Sequence, residues 1–168
     1  MVKLFKKNKR LKILTKSPAQ TKKLGKILAG EFLKNPRKEA LVLALIGDLG
    51  GGKTTFLQGF AKGLGIKEKI LSPTFVIMKK FKIQNSKFKI FYHIDCYRIE
   101  KPKEILNLGF KEIISDPGNI VTIEWADRIT RILPKDTKIL KFKFVDRKTR
   151  KITIKNKELD KRFLFVVK

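Results

Sequence analysis

The run Gly47-Asp48-Leu49-Gly50-Gly51-Gly52-Lys53-Thr54 fits G-x-x-x-x-G-K-[ST] in full, and it constrains the fold more than any other feature of the chain. Such a loop has meaning only between a buried strand and a helix. Both flanks are present. Leu41 to Ile46 is an unbroken apolar run, which suits a parallel strand covered on both faces. A helix is expected from about Lys53 to Leu64. The glycines let backbone N–H groups curl around phosphate oxygens, where a Cβ would crowd the anion. The helix that follows aims its positive end at the same place. Lys53 can bridge the outer phosphates of a nucleotide, and the Thr54 hydroxyl can be a magnesium ligand. The expected fold class is α/β.

The remaining segments divide readily. Met1 to Lys12 is a basic lead-in, with a short strand expected at Lys12 to Leu14. Ser17 and Pro18 read as N-cap and first residue of a helix. Its face carries Leu24, Ile27, Leu28 and Leu33, and Asn35-Pro36-Arg37 ends it. Phe75 to Ile83 and Phe88 to Ile94 flank Gln84-Asn85-Ser86-Lys87 as a hairpin. Pro102 to Ile114 reads as one helix. Asp116 to Asn119 is a turn, and Ile120 to Ile123 a second buried strand. Ile139 to Val145 and Lys151 to Ile154 flank a turn at Asp146 to Lys148. Phe163 to Val167 is a last strand or a packing tail.

A phosphate-binding loop needs a carboxylate at the end of a neighbouring strand to manage magnesium or water. Two strands end in one: Ile120-Val121-Thr122-Ile123-Glu124 and Ile90-Phe91-Tyr92-His93-Ile94-Asp95. Either acid alone could be a solvated strand end. The secure loop beside them favours a role at the site. His93 is the sole histidine, so no histidine-based metal cluster is possible, and a structural strand residue is its expected role. Trp125 is balanced between core and site. Cys96 is expected to be a buried, inert thiol. Thr74, in Ser72-Pro73-Thr74, could reach a terminal phosphate as a switch threonine does.

Charge narrows the partners less than its size suggests. Forty-one Lys and Arg against 15 Asp and Glu give +26 over 168 residues. Such an excess concentrates polyanions nearby and is compatible with RNA. The lysines are spread along the chain, however, so a compositional bias accounts for the charge equally well. No apolar run is long enough to span a membrane, no signal-peptide core follows the N-terminus, and one cysteine makes no internal disulfide. A cytoplasmic protein is expected.

Taken in order, GDLGGGKTTF from Gly47, SPTF from Ser72, YHIDCYRI from Tyr92 and IEWADRI from Ile123 resemble the TsaE (YjeE) ATPases of bacterial tRNA threonylcarbamoyladenosine (t6A) biosynthesis. Leu106 to Gly109 and Leu133-Pro134 look like the same family, and the resemblance spans about residues 15 to 155. It implies a single P-loop NTPase domain, with a mixed sheet flanked by helices, a β-hairpin insertion and a C-terminal hairpin. Residues 1–14 would then be a lead-in and 156–168 a basic tail packing on or extending the domain. It further implies ATP and Mg2+ as cofactors and the TsaB and TsaD proteins as partners, with tRNA engaged indirectly. TsaE is not the transferase that modifies adenosine 37; its ATP hydrolysis would support or reset the TsaB–TsaD complex. By position, Asp48, Leu49, Gly50, Gly51, Gly52, Lys53, Thr54 and Thr55 would hold the nucleotide. Thr54 and Glu124 would hold the metal. Glu124, Asp95, Lys53 and Thr74 would be catalytic, Trp125 would sit beside the site, and the region of Ser17 and Thr21 would approach the adenine.

Three other readings compete. A small-molecule kinase would share the loop but usually carries an arginine-bearing lid, and Arg98 is the one arginine between Leu57 and Phe110. A GTP switch needs Asn-Lys-x-Asp; the nearest run, Asn156 to Asp160, is one residue too long. An RNA-binding protein that merely kept an old loop fits the charge but leaves Glu124 and Asp95 without purpose.

Overall fold

The computed structural model describes residues 4–7, 10–34, 37–84 and 86–155. The expected last strand at Phe163 to Val167, the Asn156 to Asp160 run, Asn35, Pro36 and Asn85 lie outside the described residues.

The described strands form one eight-stranded mixed sheet in the order β1-β2-β8-β7-β3-β6-β5-β4. They are β1 (Leu4–Lys7), β2 (Arg10–Thr15), β3 (Leu41–Gly47), β4 (Met78–Lys82), β5 (Ile90–Asp95), β6 (Asn119–Glu124), β7 (Lys138–Phe144) and β8 (Arg150–Lys155). The four central strands β7, β3, β6 and β5 are parallel. Antiparallel pairs complete both flanks: β4 on β5, and β8, β2 and β1 outward from β7. Residues 4–7 and 10–15 of the basic lead-in are therefore strands of the sheet, which begins well before residue 15.

Helices cover both faces. On one, α1 (Pro18–Leu33) and α2 (Lys53–Gly63) pack Leu24, Leu28, Phe32, Phe56 and Phe60 against Leu43, Leu45, Phe91 and Ile120. On the other, α3 (Pro102–Leu106), α4 (Phe110–Ser115) and a 3₁₀ turn at Ala126–Ile132 cover Val42, Ala44, Ile94, Val121 and Ile123. This double covering is why β3 and β6 read as continuous apolar runs. The α1 cap is as expected: the Ser17 hydroxyl accepts from the Gln20 N–H at 3.2 Å, and Pro18 opens the helix. Helices α1 and α2 lie backbone to backbone. A Cβ on Gly59 would stand 1.9 Å from the Lys22 carbonyl oxygen, so only glycine allows that approach.

Two expectations are corrected. Pro102 to Ile114 is not one helix: Asn107 to Gly109 form a turn, and Gly109, at φ 77, enters α4 in the left-handed region. Glycine is the residue that takes that conformation without steric cost. The first strand of the hairpin starts at Met78 rather than Phe75. Phe75 and Val76 are exposed in a turn, where the Val76 and Ile77 N–H groups both donate to the Pro73 carbonyl.

Candidate functional site

The loop leaves the C-terminal end of β3, between β6 and β7, where ligands of open α/β sheets collect. Register does the rest. Asp95 and Glu124 are direct partners across β5 and β6, and Leu45 of β3 partners Glu124 on the other side. Both acids thus end their strands at the level where the loop begins, and both are buried. A cleft of about 540 Å³ opens there, lined by Leu49 to Thr55, Ser72, Thr74, Asp95, Glu124 and Trp125 among others.

Lys53 is buried beneath the loop. Its Nζ donates to the Gly47 and Asp48 carbonyls at 2.7 and 2.8 Å. It lies 4.0 Å from the centroid of the Trp125 ring. Burial pulls the ammonium below the ordinary lysine value, and Glu124, Asp95, Asp127 and Asp48 pull it back up. No side chain caps α2 at Gly52, so its first-turn N–H groups present positive charge to the cleft.

Glu124 is held from two sides. The Thr54 hydroxyl lies 3.0 Å from both carboxylate oxygens, and His93 Nε2 lies 2.8 Å from Oε1. Asp95 is a second centre. Its Oδ2 accepts from the Ser72 and Thr74 hydroxyls, the latter at 2.9 Å, and its Oδ1 accepts from the Tyr97 N–H at 2.8 Å. The next residue, Cys96, is buried, and burial together with the Asp95 charge pushes its thiol up to about 12. It is the inert thiol that its setting in the sequence suggests.

The structure gathers Lys53, Thr54, Thr55, Thr74, Asp95, Glu124 and Trp125 at one cleft. Asp48 stands apart. Its carboxylate accepts from the Phe144 N–H at 3.2 Å, bracing the loop to β7, and its carbonyl holds Lys53. Thr21 lines the cleft, but its hydroxyl bonds Thr15 Oγ1 at 2.8 Å and is directed inward. Trp125 is half-buried at φ 56, with its ring 5.2 Å from that of Tyr97.

Reading by residue type passes over two groups. His93 is fully buried, touches Glu124, and has an Nδ1 without a hydrogen-bond partner among the described residues. The period of two along β5 puts it on the face of Asp95, which is the signal that locates it. Arg147, Lys148 and Arg150 of the C-terminal hairpin line the cleft, and Arg150 Nε donates to the Gly50 carbonyl at 2.7 Å. Nothing local in the sequence announces that contact, because it depends on the pairing of β7 with β8. The described residues hold no group of three or more His, Cys, Asp or Glu able to bind a metal by themselves. The oxygen donors of Thr54, Glu124 and Asp95 fit a hard cation shared with phosphate. No helix among them is long and apolar enough to cross a membrane.

Strand, loop, helix and two register-paired acids define a single α/β P-loop domain. The family model described as threonylcarbamoyl adenosine biosynthesis protein TsaE matches residues 15–154. The tRNA threonylcarbamoyladenosine biosynthesis protein TsaE of Bacillus subtilis is 41% identical over 128 residues, 76% of this chain and 74% of that one. Its Rickettsia typhi namesake is 37% identical over 150 residues, 89% and 94% of the two chains. The crystal structure of Bacillus subtilis YdiB superposes with a TM-score of 0.68 at 33% identity, covering 99% of this chain and 93% of that one. The chain belongs to the TsaE family of tRNA threonylcarbamoyladenosine biosynthesis.

Proposed function

We propose that this protein binds magnesium–ATP at the Gly47 to Thr55 loop and hydrolyses it slowly on its own and faster with a TsaB–TsaD complex, serving the t6A modification of tRNA. The observation that carries the reading is Glu124, a buried strand-end carboxylate 3.0 Å from the Thr54 hydroxyl and fixed by His93. Glycine-rich loops and lysines bind phosphate in many settings. A buried acid positioned against the loop threonine serves the reacting end of a nucleotide.

Each residue then has a task. The loop N–H groups and the start of α2 hold the phosphates. Lys53 exchanges its carbonyl partners for phosphate oxygens, whose charge offsets the cost of its burial. Thr54 and Glu124 would hold magnesium, which when bound draws charge off the phosphates. Glu124 orients the attacking water, with its own rotamer set by His93 Nε2. Thr74, tied to Asp95, senses the terminal phosphate. Arg150 and its neighbours on the hairpin close the cleft over the loop.

Partner dependence has a physical basis in the mouth of the cleft. Exposed Leu49 (78%) and Tyr97 line it, and exposed Leu71, Phe75 (83%) and Val76 lie in the same chain segment as its lining residues Ser72 and Thr74. Exposed apolar side chains of this kind mark a protein contact, and covering them would fix the loop that carries Thr74. The test is phosphate release from ATP and from GTP, by the chain alone and with TsaB–TsaD added. Slow release alone, stimulation by the complex, and at least about tenfold weaker binding of GTP, or roughly 1.4 kcal/mol, are expected. Fast release that is indifferent to the complex would overturn the reading.

A further inference from the structure

A second cleft, of about 810 Å³, lies on the outer side of α1 and α2, apart from the nucleotide site. Lys22, Lys23 and Lys26 of α1, Lys62 of α2, and Lys67 and Lys69 of the following loop line it. Half of its lining residues are lysines, against about a fifth of the chain, so composition alone does not explain the concentration. All six are exposed, and none of their side chains has an ion pair or hydrogen bond among the described residues. One acid, Glu68, shares the cleft and pairs with none of them. The wall is built rather than accidental. The backbone approach at Gly59 fixes the spacing of α1 and α2, and the Gln58 amide donates to the Ile70 carbonyl at 3.1 Å, holding the loop of Lys67 and Lys69 against α2.

We propose that this lysine-lined cleft is a binding site for the phosphate backbone of a folded RNA. Six unpaired ammonium groups on a concave wall suit a charged, rod-like chain whose bound counterions are released on contact. A protein partner would need aromatic or arginine anchors. The lining holds neither, and its isoleucines, Ile66 and Ile70, are buried in the core. An anionic membrane presents a flat surface, which a concave wall does not match. Lysine side chains, as hydrated point charges, read phosphate and not base edges, so binding here is tolerant of sequence and sensitive to salt. The site goes beyond the proposed hydrolysis, because its lysines do not line the nucleotide cleft.

The test uses the full chain and a fluorescein-labelled, unmodified tRNA transcript, with anisotropy followed from low to high salt. One variant carries Lys22→Gln, Lys26→Gln, Lys62→Gln and Lys67→Gln. A charge-matched control carries Lys79→Gln, Lys80→Gln, Lys111→Gln and Lys143→Gln, all exposed and outside the cleft. At equal net charge the cleft variant should bind at least about tenfold more weakly than the control near 0.1 M salt, and its log–log salt slope should fall by roughly 0.7 to 0.9 per lysine that meets a phosphate. Nucleotide affinity should be the same in both, which separates loss of this site from loss of fold or of the nucleotide site. The loop pair Lys67→Gln with Lys69→Gln, which leaves both helices untouched, should show part of the same loss. Equal losses in cleft variant and control would assign RNA binding to diffuse charge and overturn the proposal. It would equally be overturned if the wild-type chain did not bind the transcript, or if the cleft variant kept RNA and lost only TsaB–TsaD.

Discussion

The two walls of the nucleotide cleft are built on different principles. The Gly47 to Thr55 wall is braced by backbone. A Cβ on Gly47 would stand 1.9 Å from the Phe142 carbonyl oxygen, Asp48 is tied to Phe144, and Arg150 grips Gly50. The Ser72 to Ile77 wall is held mainly through one residue, Asp95, whose carboxylate accepts from the Ser72 and Thr74 hydroxyls and whose N–H donates to the Ile77 carbonyl at 2.9 Å. It also carries Ile77 at φ 63, beside exposed Phe75 and Val76. A β-branched residue at positive φ is uncommon and is retained where surrounding structure imposes it. One wall is thus preformed to bind, and the other is held in a conformation that a small change of contacts can alter. Glu124 stands between them, on the strand next to Asp95 and in contact with Thr54.

The comparison breaks first at Lys53. If the first wall supplies the binding energy, Lys53→Ala should lower magnesium–ATP affinity at least about a hundredfold, or roughly 2.7 kcal/mol, and abolish turnover. Calorimetric titration measures the first and phosphate release the second. An affinity within a few-fold of wild type would show that the wall binds through its backbone alone. Glu124→Gln sharpens the contrast. It keeps the shape and removes the charge, so affinity should stay within about tenfold, roughly 1.4 kcal/mol, while hydrolysis is lost even with TsaB–TsaD present. That split is expected of a group acting more strongly in the transition state than in the ground state.

What the sequence exposes follows the same division. The first wall is local in sequence, so its strand, glycines, lysine and threonine could be read directly. The two acids were legible because each ends an apolar strand, although only the register of β5 with β6 brings them level. The second wall depends on side chains meeting across 21 and 23 residues, and the hairpin contact of Arg150 with Gly50 spans 100. No local pattern encodes those distances. The broken helix at Asn107 to Gly109 was missed for another reason. Apolar spacing from Ile105 to Ile113 continues through the break, and the left-handed Gly109 leaves no mark on it.

Asp95→Asn tests the second wall alone. The amide keeps an acceptor oxygen but replaces the other with a donor, so it cannot receive Ser72, Thr74 and the Tyr97 N–H together. Hydrogen bonds to a charged group contribute about 1.5 to 3 kcal/mol, so residues 72–76 should open more readily, with amide exchange there faster by about tenfold or more. Nucleotide affinity should change by less than in Glu124→Gln, and hydrolysis should fall less severely. A dead Asp95→Asn beside a normal Glu124→Gln would mean that the two acids have exchanged roles. Normal hydrolysis in both would place the chemistry on other residues.

The smallest effect is the most specific to the strained turn. At an ordinary exposed or half-buried position, Ala is more stable than Gly by about 0.5 to 1 kcal/mol, because glycine loses more backbone freedom on folding. At Ile77 the order should invert. Both substitutions remove the γ and δ carbons that pack, partly buried, against the cluster of Ile94, Ile123 and Ile129, and glycine loses the single β-carbon besides. Only glycine also escapes the left-handed penalty of about 1 to 2 kcal/mol. Ile77→Gly should therefore be the more stable of the two, by up to about 1 kcal/mol once the entropy term is subtracted. Denaturant titration of both variants in the absence of nucleotide measures the difference, with equal slopes required before the midpoints are compared. If Ile77→Ala proves the more stable, residue 77 does not hold a left-handed conformation in solution. The second wall would then lack the strain that distinguishes it from the first.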